Sequence, residues 1–323
     1  MKSTQRGVAL ITAMLIVAII AALATSLALG QQVWLRQTQN LTDLAQAEQL
    51  RQGALEYAAA VLARDAKNAS TAKTDTLQEA WAQPIPPLPV EGGVVIVSIA
   101  DAQARYNLNN LVPPAGQSVA PPEEVRLYTD LLARNGLPTE LVAPLLDWID
   151  PGTATQPGGA EDLDYLNHDP PYRAANQALT SIDELRLVKG YTPEIVAKLS
   201  PLVVVLPASA GRRPINVNTA DASVLAALTG SDLTQAEQIV KARENSPFED
   251  TGQFQKFFPG SQLKPNTYDV KSSYFIVSVE TRIGRIQRRT EALIERPTTN
   301  AASAAVLWYR LPPLPLAIDE DKS

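Results

Sequence analysis

Residues 8–30 of the chain read VALITAMLIVAIIAALATSLALG, a run of 23 residues without a formal charge. A helix of this length rises about 35 Å, so it can cross the roughly 30 Å hydrocarbon core of a bilayer with some tilt. Lys2 and Arg6 precede the run, and the first acid after it is Asp43. This charge distribution predicts that residues 1–7 are cytoplasmic and that the rest of the chain lies across the membrane.

A cleaved secretory signal peptide is the alternative interpretation, with Ala22-Leu23-Ala24 as its cleavage site. The run is longer than the 7–15 apolar residues usual in such a peptide. The sequence after it also continues as a helix, because Leu50, Ala54, Tyr57 and Val61 recur at helical spacing. We therefore predict one helix of about 55–60 residues, half of it in lipid. A membrane helix followed by a separate amphipathic helix, with a break near residue 30, is the other possibility.

The composition narrows the function classes. The chain has 323 residues, a net charge of −6 and no cysteine, so it offers no overall basic surface for nucleic acid and no disulfide or thiolate metal site. His168 is its single histidine, which excludes a histidine-rich metal centre. A hydrolytic triad would depend on His168 alone, and no G-x-S-x-G motif supplies a nucleophile.

The order of predicted elements indicates an α+β fold. A proline-rich loop over residues 69–93 leads to a strand at 94–99, and short capped helices follow. Alternating apolar residues at 272–296 predict an antiparallel hairpin around Gly284, and residues 304–311 predict a last strand. Strands on both sides of a helical block suggest a long N-terminal helix packed on a small antiparallel sheet, with a large α-helical domain inserted between strands.

The stretch 147–169 is the main candidate for ion binding. It contains six acids and no lysine or arginine, and hard oxygen ligands on a Gly/Pro loop suit Ca²⁺. The D-x-D-x-D-G spacing of an EF-hand is absent, and a solvated acidic loop is the alternative. A hydrolytic carboxylate pair lacks an accompanying polar-aromatic cleft. The candidate ligands are Asp147, Asp150, Glu161, Asp162, Asp164 and Asp169.

Two further patterns suggest binding surfaces. Residues 215–245 resemble a helix-hairpin-helix unit of DNA-uptake receptors, and residues 180–200 look like a second copy. The hairpins hold one glycine each, and Asp232 would repel phosphate, so a packing role is preferred to DNA binding. Four arginines on the terminal hairpin form either a solvated strand face or a contact surface for an acidic neighbour. They are Arg282, Arg285, Arg288 and Arg289.

Nearly the whole chain resembles the K-type minor pseudopilins of bacterial type II secretion. The similar stretches are RGVALITAMLIVAII, ADAQARYNLNNL, LLDWIDP followed by GGAEDLDYL, YRAANQALTSIDELRLVKG and INVNTADASVLAAL. The join between Gly7 and Val8 resembles a prepilin peptidase cleavage site. The resemblance implies a type IV pilin-like fold, removal of residues 1–7, and calcium in the inserted domain at the acids above. It implies no enzymatic activity.

The resemblance also implies a division of the chain and a set of partners. The implied location is the bacterial inner membrane, with a single span and most of the chain in the periplasm. Expected partners are the I- and J-type minor pseudopilins, the major pseudopilin and the inner-membrane assembly platform, with no nucleic acid. The divisions are a membrane segment at 8–30, the rest of the helix at 31–68, a pilin-like sheet at 92–112 and 269–311, the inserted domain at 113–268 and a flexible tail at 312–323.

Thr12 marks a departure from the general pilin pattern. Most pilins carry glutamate at the fifth mature position, where it pairs with the N-terminal amine of a neighbouring subunit. A carboxylate in lipid is costly unless it is paired, and a topmost subunit would find no such amine. The K-type family shares this departure, so Thr12 fits a subunit at the tip of the pseudopilus that initiates its assembly and prevents addition beyond it. A membrane-anchored helix-hairpin-helix DNA receptor is the alternative function.

Overall fold

A single helix, α1 (Thr4–Lys67), dominates the N-terminal part of the protein. The computed structural model describes residues 4–68, 72–258, 263–296 and 304–312, with side chains from Leu10 onward. The helix has 64 residues and runs through Gly30 without a break, as the continuous-helix interpretation predicted. The leader residues 1–3 and the tail from 313 lie outside the described residues.

The C-terminal half of α1 packs on a sheet, and three of the four residues of the predicted stripe contribute to this packing. Ala47, Ala54, Ala58 and Leu62 are buried, at helical spacings of seven, four and four residues. Tyr57, which the sequence analysis placed on the packed stripe, is 51 % exposed. The sheet therefore faces the small side chains of α1, which allow close approach.

The sheet is antiparallel and has five strands in the order β1-β2-β7-β8-β9. The turn between β7 and β8 holds Gly284 at φ +53°, a conformation that favours glycine, and a Cβ there would also collide with the carboxylate of Asp43 on α1. The strands are β1 (Leu88–Val90), β2 (Gly93–Asp101), β7 (Tyr274–Ile283), β8 (Ile286–Glu295) and β9 (Ala305–Arg310).

The pilin-like core lies between this sheet and α1. It joins Leu55 and Ala58 of α1 to Val97, Phe275 and Val277 of the sheet. The strand β1 was predicted as loop because its segment is proline-rich. It forms nonetheless, since β1 is the edge strand of the sheet and proline is tolerated at an edge.

The inserted domain has its own, larger core. Leu127, Leu145, Leu199 and Leu225 are among its fully buried members. Its α-helices are α2 (Pro122–Arg134), α3 (Val142–Ile149), α4 (Asp162–Tyr165), α5 (Pro193–Leu199), α6 (Ala222–Thr229), α7 (Leu233–Asn245) and α8 (Thr251–Gln255). Its short strands pair in parallel: β3 (Tyr106–Asn107) with β4 (Val203–Val204), and β5 (Ile215–Asn216) with β6 (Tyr268–Asp269).

The boundaries of this domain differ from the predicted 113–268. Tyr106, Leu108 and Leu111 are fully buried in the core of the inserted domain, so the insertion begins directly after Asp101. At the other end, β6 still belongs to the insertion, and the sheet resumes at Tyr274. Asp101 pairs with Phe275 across adjacent strands, so the insertion leaves and re-enters the sheet at neighbouring positions.

The helix-hairpin-helix copy predicted at residues 180–200 also differs from the structure. Residues 182–187 form a 3-10 helix, although its capping box between Ser181 and Glu184 is present as predicted. An α-helical hairpin at residues 180–200 is therefore wrong. The unit predicted at residues 215–245 does form two packed α-helices, α6 and α7, joined at Gly230 in the left-handed conformation.

Candidate functional site

The N-terminal half of α1 is an apolar surface that the rest of the described chain leaves uncovered. Residues 10–42 are all exposed, and the segment is long and apolar enough to cross a membrane by length and composition. The hydroxyl of Thr25 donates to the carbonyl of Ala21 at 2.8 Å, so this polar group is satisfied inside the helix, as lipid requires. Gly7 and Val8 lie within the helical backbone of α1.

In the acidic stretch, Asp147 is a fully buried carboxylate held by the backbone of its own loop. It lies in the last turn of α3, and its Oδ2 accepts from Ala160 N at 2.9 Å and from Gln156 N at 3.2 Å. A Cβ at position 159 would overlap this carboxylate, so Gly159 permits the loop to close over it. Burial raises the pKa of Asp147, and the nearby charge of Asp150 raises it further.

Glu161 is the second buried acid of this loop, at 4 % exposure. It is the residue before α4, and in the described part of the chain neither of its carboxylate oxygens has a well-formed hydrogen bond. Burial is the largest influence and raises the pKa of Glu161, and the charges of Asp147 and Asp150 act in the same direction. The negative charges of the two buried carboxylates, Asp147 and Glu161, therefore repel each other. The oxygens of Glu161 also lack well-formed hydrogen bonds within the described residues.

The remaining acids of the stretch are more exposed, and two of them have basic partners. Asp162 pairs with Arg173 at 3.0 Å, and Asp164 pairs with Lys189 at 2.7 Å. Both bases come from outside the stretch 147–169, so its lack of basic residues did not predict its environment. Asp150 accepts from Gly152 N at 2.7 Å, and Asp169 is exposed.

The structure thus brings Asp147, Asp150, Glu161 and Asp162 within electrostatic range of one another. The carboxylate of Asp164 accepts from the backbone N–H of Glu161 at 3.2 Å. In the described part of the chain, the three carboxylates with ligand atoms within 4.8 Å of one another are Asp65, Asp75 and Glu79. Sequence reasoning missed this group. No metal-binding motif has its spacing, and only the return of the chain after α1 brings Asp75 and Glu79 beside Asp65.

The α6–α7 hairpin does not present a phosphate site. Asp232 caps α7, and its carboxylate accepts from Gln235 N at 2.7 Å, so an acid already occupies the helix N-terminus where phosphate would bind. Ala227 and Leu228 of α6 are buried in the core of the inserted domain. The geometry supports a packing role for this hairpin.

His168 lies near two aromatic rings, and two of the terminal arginines form ion pairs. The imidazole of His168 lies 5.2 Å from the Tyr172 ring and 6.3 Å from the Tyr165 ring. On the β7–β8 hairpin, Arg282 pairs with Glu280 at 2.7 Å and Arg289 with Glu291 at 3.2 Å. Acids of the same hairpin therefore neutralise part of this basic face.

Comparison with known proteins shows which family the chain is similar to. Two family models, both described as type II secretion system, protein K, match residues 104–208 and 215–274. A type II secretion system protein K of Pseudomonas aeruginosa is 37 % identical over 295 residues, which cover 88 % of this chain and 86 % of the relative. The chain belongs to the protein K family of type II secretion systems.

Further relatives extend the match along the chain. A protein K of Pectobacterium carotovorum is 31 % identical over 303 residues, covering 88 % of this chain and 90 % of the relative. A chain in the crystal structure of the GspK-GspI-GspJ complex from enterotoxigenic Escherichia coli is 28 % identical, with a TM-score of 0.75. The match covers 86 % of this protein K chain and 100 % of the solved one.

These matches confirm the resemblance drawn from the sequence and the pilin-like α+β fold. As a protein K, the chain is a minor pseudopilin component of type II secretion, and its family is a structural one rather than a known enzyme family. The apolar half of α1 is consistent with a membrane anchor in such a component.

Proposed function

We propose that this protein K forms the tip of the type II pseudopilus, where it helps to initiate assembly and limits growth, and so supports protein export across the outer membrane. One observation carries the proposal: the inserted domain is attached at the end of α1 that lies farthest from the apolar segment. A bulky domain at that end would lie on the outer side of the subunit.

An ion pair and a backbone hydrogen bond hold the C-terminal end of α1 to the sheet and to the insertion. Asp65, near the C-terminus of α1, pairs with Arg296, which directly follows β8. Just beyond α1, the backbone N–H of Asp75 donates to the carbonyl of Val270 at 2.8 Å, and Val270 is in the last part of the insertion. At about 1.5 Å per residue, α1 is roughly 95 Å long, so the insertion is well separated from the membrane segment.

The proposed partners follow from the same orientation. In a filament of parallel helices, a subunit added above this one would meet the inserted domain instead of an open helix end. The I- and J-type minor pseudopilins are the proposed neighbours, since the solved relative is part of a GspK-GspI-GspJ complex. The major pseudopilin and the inner-membrane assembly platform would act below them.

Immunogold labelling tests the tip position. Sheared pseudopili are incubated with antibody against the inserted domain and viewed by electron microscopy. We expect gold at one end of each filament. Label along the filament, or filaments that form normally without this protein and lack end label, would contradict the proposal.

The processing step is part of the same proposal. Prepilin peptidase would cut between Gly7 and Val8, leaving a protein anchored in the inner membrane with its bulk in the periplasm. N-terminal sequencing of the mature protein should then begin at Val8. A start at Thr25 or later would indicate a cleaved signal peptide instead.

We also propose that a calcium ion binds at the acidic stretch 147–169. Asp147 and Glu161 would be its central ligands, because they are buried, mutually repelling and, for Glu161, without satisfied oxygens. The charges of Asp150 and Asp162 act on Glu161, so these two acids are the proposed additional ligands, and their oxygens would move towards the ion on binding. The ion would neutralise this charge and fasten the loop between α3 and α4 to the domain.

A further inference from the structure

A second group of acids lies outside the acidic stretch, at the end of α1. Asp65 belongs to the last turns of the helix, and Asp75 and Glu79 belong to the segment between α1 and β1. One carboxylate oxygen from each lies within 4.8 Å of the others. Asp75 is 1 % exposed and Glu79 is 8 % exposed, and the Asp65 side chain is 10 % exposed, so the group is almost closed to solvent.

The charges of this group do not balance. Arg296 bridges two of the acids, with Nη1 at 2.6 Å from Asp65 Oδ2 and Nη2 at 2.5 Å from Asp75 Oδ2. Among the described residues, these three carboxylates share one guanidinium, so the group has two surplus negative charges when all three acids are ionised. Burial raises the pKa of Glu79 to about 7, and the charges of Asp65 and Asp75 raise it in the same direction. Buried charge of this kind requires a counter-charge.

One oxygen in the group also lacks a partner. Asp75 Oδ2 accepts from Ser272 N at 2.7 Å in addition to Arg296, whereas Oδ1 of the same carboxylate has no hydrogen-bond partner in the described part of the chain. A buried acceptor without a partner destabilises the folded state. A ligand bound at this oxygen would remove that destabilisation.

The third acid, Glu79, is held by two hydrogen bonds and can accept further ones. Glu79 Oε1 accepts from Thr76 N at 3.0 Å, and Glu79 Oε2 accepts from the indole Nε1 of Trp81 at 2.8 Å. A carboxylate oxygen has two lone pairs, so each of these atoms can bind one more partner. The indole and the backbone thus orient Glu79 without using all of its acceptors.

We propose that Asp65, Asp75 and Glu79 form a binding site for a hard divalent cation. Carboxylate oxygens are the ligands that Ca²⁺ and Mg²⁺ select, and a charge of +2 matches the surplus left by Arg296. The ion would join the end of α1 to the segment after it and, through Arg296 and Ser272, to the place where the insertion re-enters the sheet. This site is independent of the calcium proposed at Asp147 and Glu161.

Thermal unfolding of the full-length protein in detergent tests the site. The protein is stripped with EDTA at pH 8 and titrated with Ca²⁺ or, separately, Mg²⁺. A background with Asp147→Asn and Glu161→Gln removes the other proposed site, so that the two proposals fail separately. In this background we expect Tm to rise by several degrees and to saturate with one of the two ions.

Asp75→Asn is the decisive variant. Its amide oxygen can still accept from Ser272 and Arg296, while its NH₂ group replaces the unpartnered oxygen by a donor. We expect the folded variant to lose the rise in Tm. The matched control is Glu124→Gln, because Glu124 is also 1 % exposed, pairs with an arginine and has an unpartnered oxygen, yet lies outside this group. This control should keep the full response.

Terbium luminescence provides a second readout if Asp75→Asn does not fold. Tb³⁺ substitutes for Ca²⁺, and the Trp81 indole, which is bonded to the ligand Glu79, should sensitise its emission. We expect emission in the background protein, and its loss with Glu79→Gln or Trp81→Phe. Absence of any cation response in the folded background protein, or a response unchanged by Asp75→Asn and Glu79→Gln, would overturn the site. A Tm that depends on pH alone, without bound cation, would assign the position to a proton and also overturn it.

Discussion

At the residue scale, three asparagines show how local sequence signals can conceal long-range roles. Asn107, Asn109 and Asn110 are of a residue type typical of turns, and Asn107 does accept from Asn109 N within its turn. All three are nevertheless buried and bind backbone groups about 70–100 residues away. Asparagine favours turns and also satisfies buried backbone, and the sequence alone does not separate the two uses.

Asn109→Ala should strongly destabilise the protein. Its Nδ2 donates to the carbonyls of Leu179 and Leu206, and its Oδ1 accepts from Leu179 N, all at 2.8–2.9 Å. The substitution leaves these buried groups unpaired, so we expect the free energy of unfolding to fall by about 2–5 kcal/mol. Urea unfolding followed by circular dichroism measures it. Asn167→Ala, which removes an exposed side-chain hydrogen bond, should change the free energy of unfolding by less than about 0.5 kcal/mol.

Glu124 should make stability depend on pH. Burial raises its pKa above the ordinary value, although the ion pair with Arg212 opposes this shift. An acid with a raised pKa in the folded state contributes stability below its unfolded pKa of 4.5, and that contribution is lost as pH rises through the folded pKa. Urea unfolding from pH 4.5 to 8 should show this decline, and Glu124→Gln should flatten it. Equal slopes in both proteins would contradict the assignment.

Thr12 provides a test of the tip position at a single side chain. If no subunit lies above this one, a glutamate at position 12 has no N-terminal amine to pair with. An unpaired acid within a membrane helix costs about 2.5–3.5 kcal/mol on insertion scales. We therefore expect Thr12→Glu to reduce recovery of the subunit in complex with its I- and J-type partners at least several-fold.

The control for this prediction is Thr12→Gln, which has nearly the same shape without the charge. It should be recovered with the partners at close to the unmodified level. Both variants are compared by affinity purification from membranes. Equal recovery of Thr12→Glu and Thr12→Gln would contradict a topmost position, because it would mean that the acid finds a partner.

At the element scale, the strands and helices with strong periodic patterns were predictable. The strands β2, β7, β8 and β9 lie close to their predicted positions. The edge strand β1 was missed because its proline content resembles a loop. The start of the insertion was also misplaced, because Tyr106 to Leu111 read as a continuation of the sheet and pack instead in the other core.

The loop between α3 and α4 should be the element most sensitive to chelation. A cation that binds only the folded state stabilises it by about 2.7 kcal/mol at 100 times its dissociation constant. We expect EDTA to lower Tm of the protein, and Asp147→Asn with Glu161→Gln to remove that part of the effect which belongs to this loop. An unchanged melting curve with EDTA would reject calcium here.

Asp169→Asn is the matched control for the loop. Asp169 belongs to the same acidic stretch but, unlike the buried pair, is exposed. Its substitution should leave the response to EDTA unchanged. A loss equal to that of the Asp147 and Glu161 variant would mean that the charge of the whole stretch, rather than the buried pair, holds the ion.

At the scale of the whole molecule, the two larger cores are joined by a small apolar cluster, which combines Leu206 of the insertion with Leu293 of the sheet, and by a polar junction. The sheet and α1 form one core, and the insertion forms another. The residues between them combine Asp101, Asn216 and Ser272 in a buried hydrogen-bonded group. The sequence indicated two units from the order of strands and helices. It could not indicate this junction, because its members are more than 50 residues apart and share no periodic pattern.

The junction makes it possible to remove the insertion without opening the sheet. Asp101 at the end of β2 and Phe275 near the start of β7 are paired on adjacent antiparallel strands, so a two-residue Asn-Gly turn can replace residues 102–274. The shortened protein keeps α1, its contacts with the sheet and the buried residues Val97 and Val277. If the insertion limits growth, filaments with this protein at the tip should be longer than normal.

Electron microscopy of pseudopili measures filament length directly, in cells that produce the full-length or the shortened protein at equal levels. We expect the mean length to increase at least two-fold, because an added subunit no longer meets the inserted domain. The number of filaments per cell should stay near normal, since α1 and the sheet, which would start assembly, are retained. Long filaments with both proteins, or normal length with the shortened one, would mean that the insertion does not set the end of the filament.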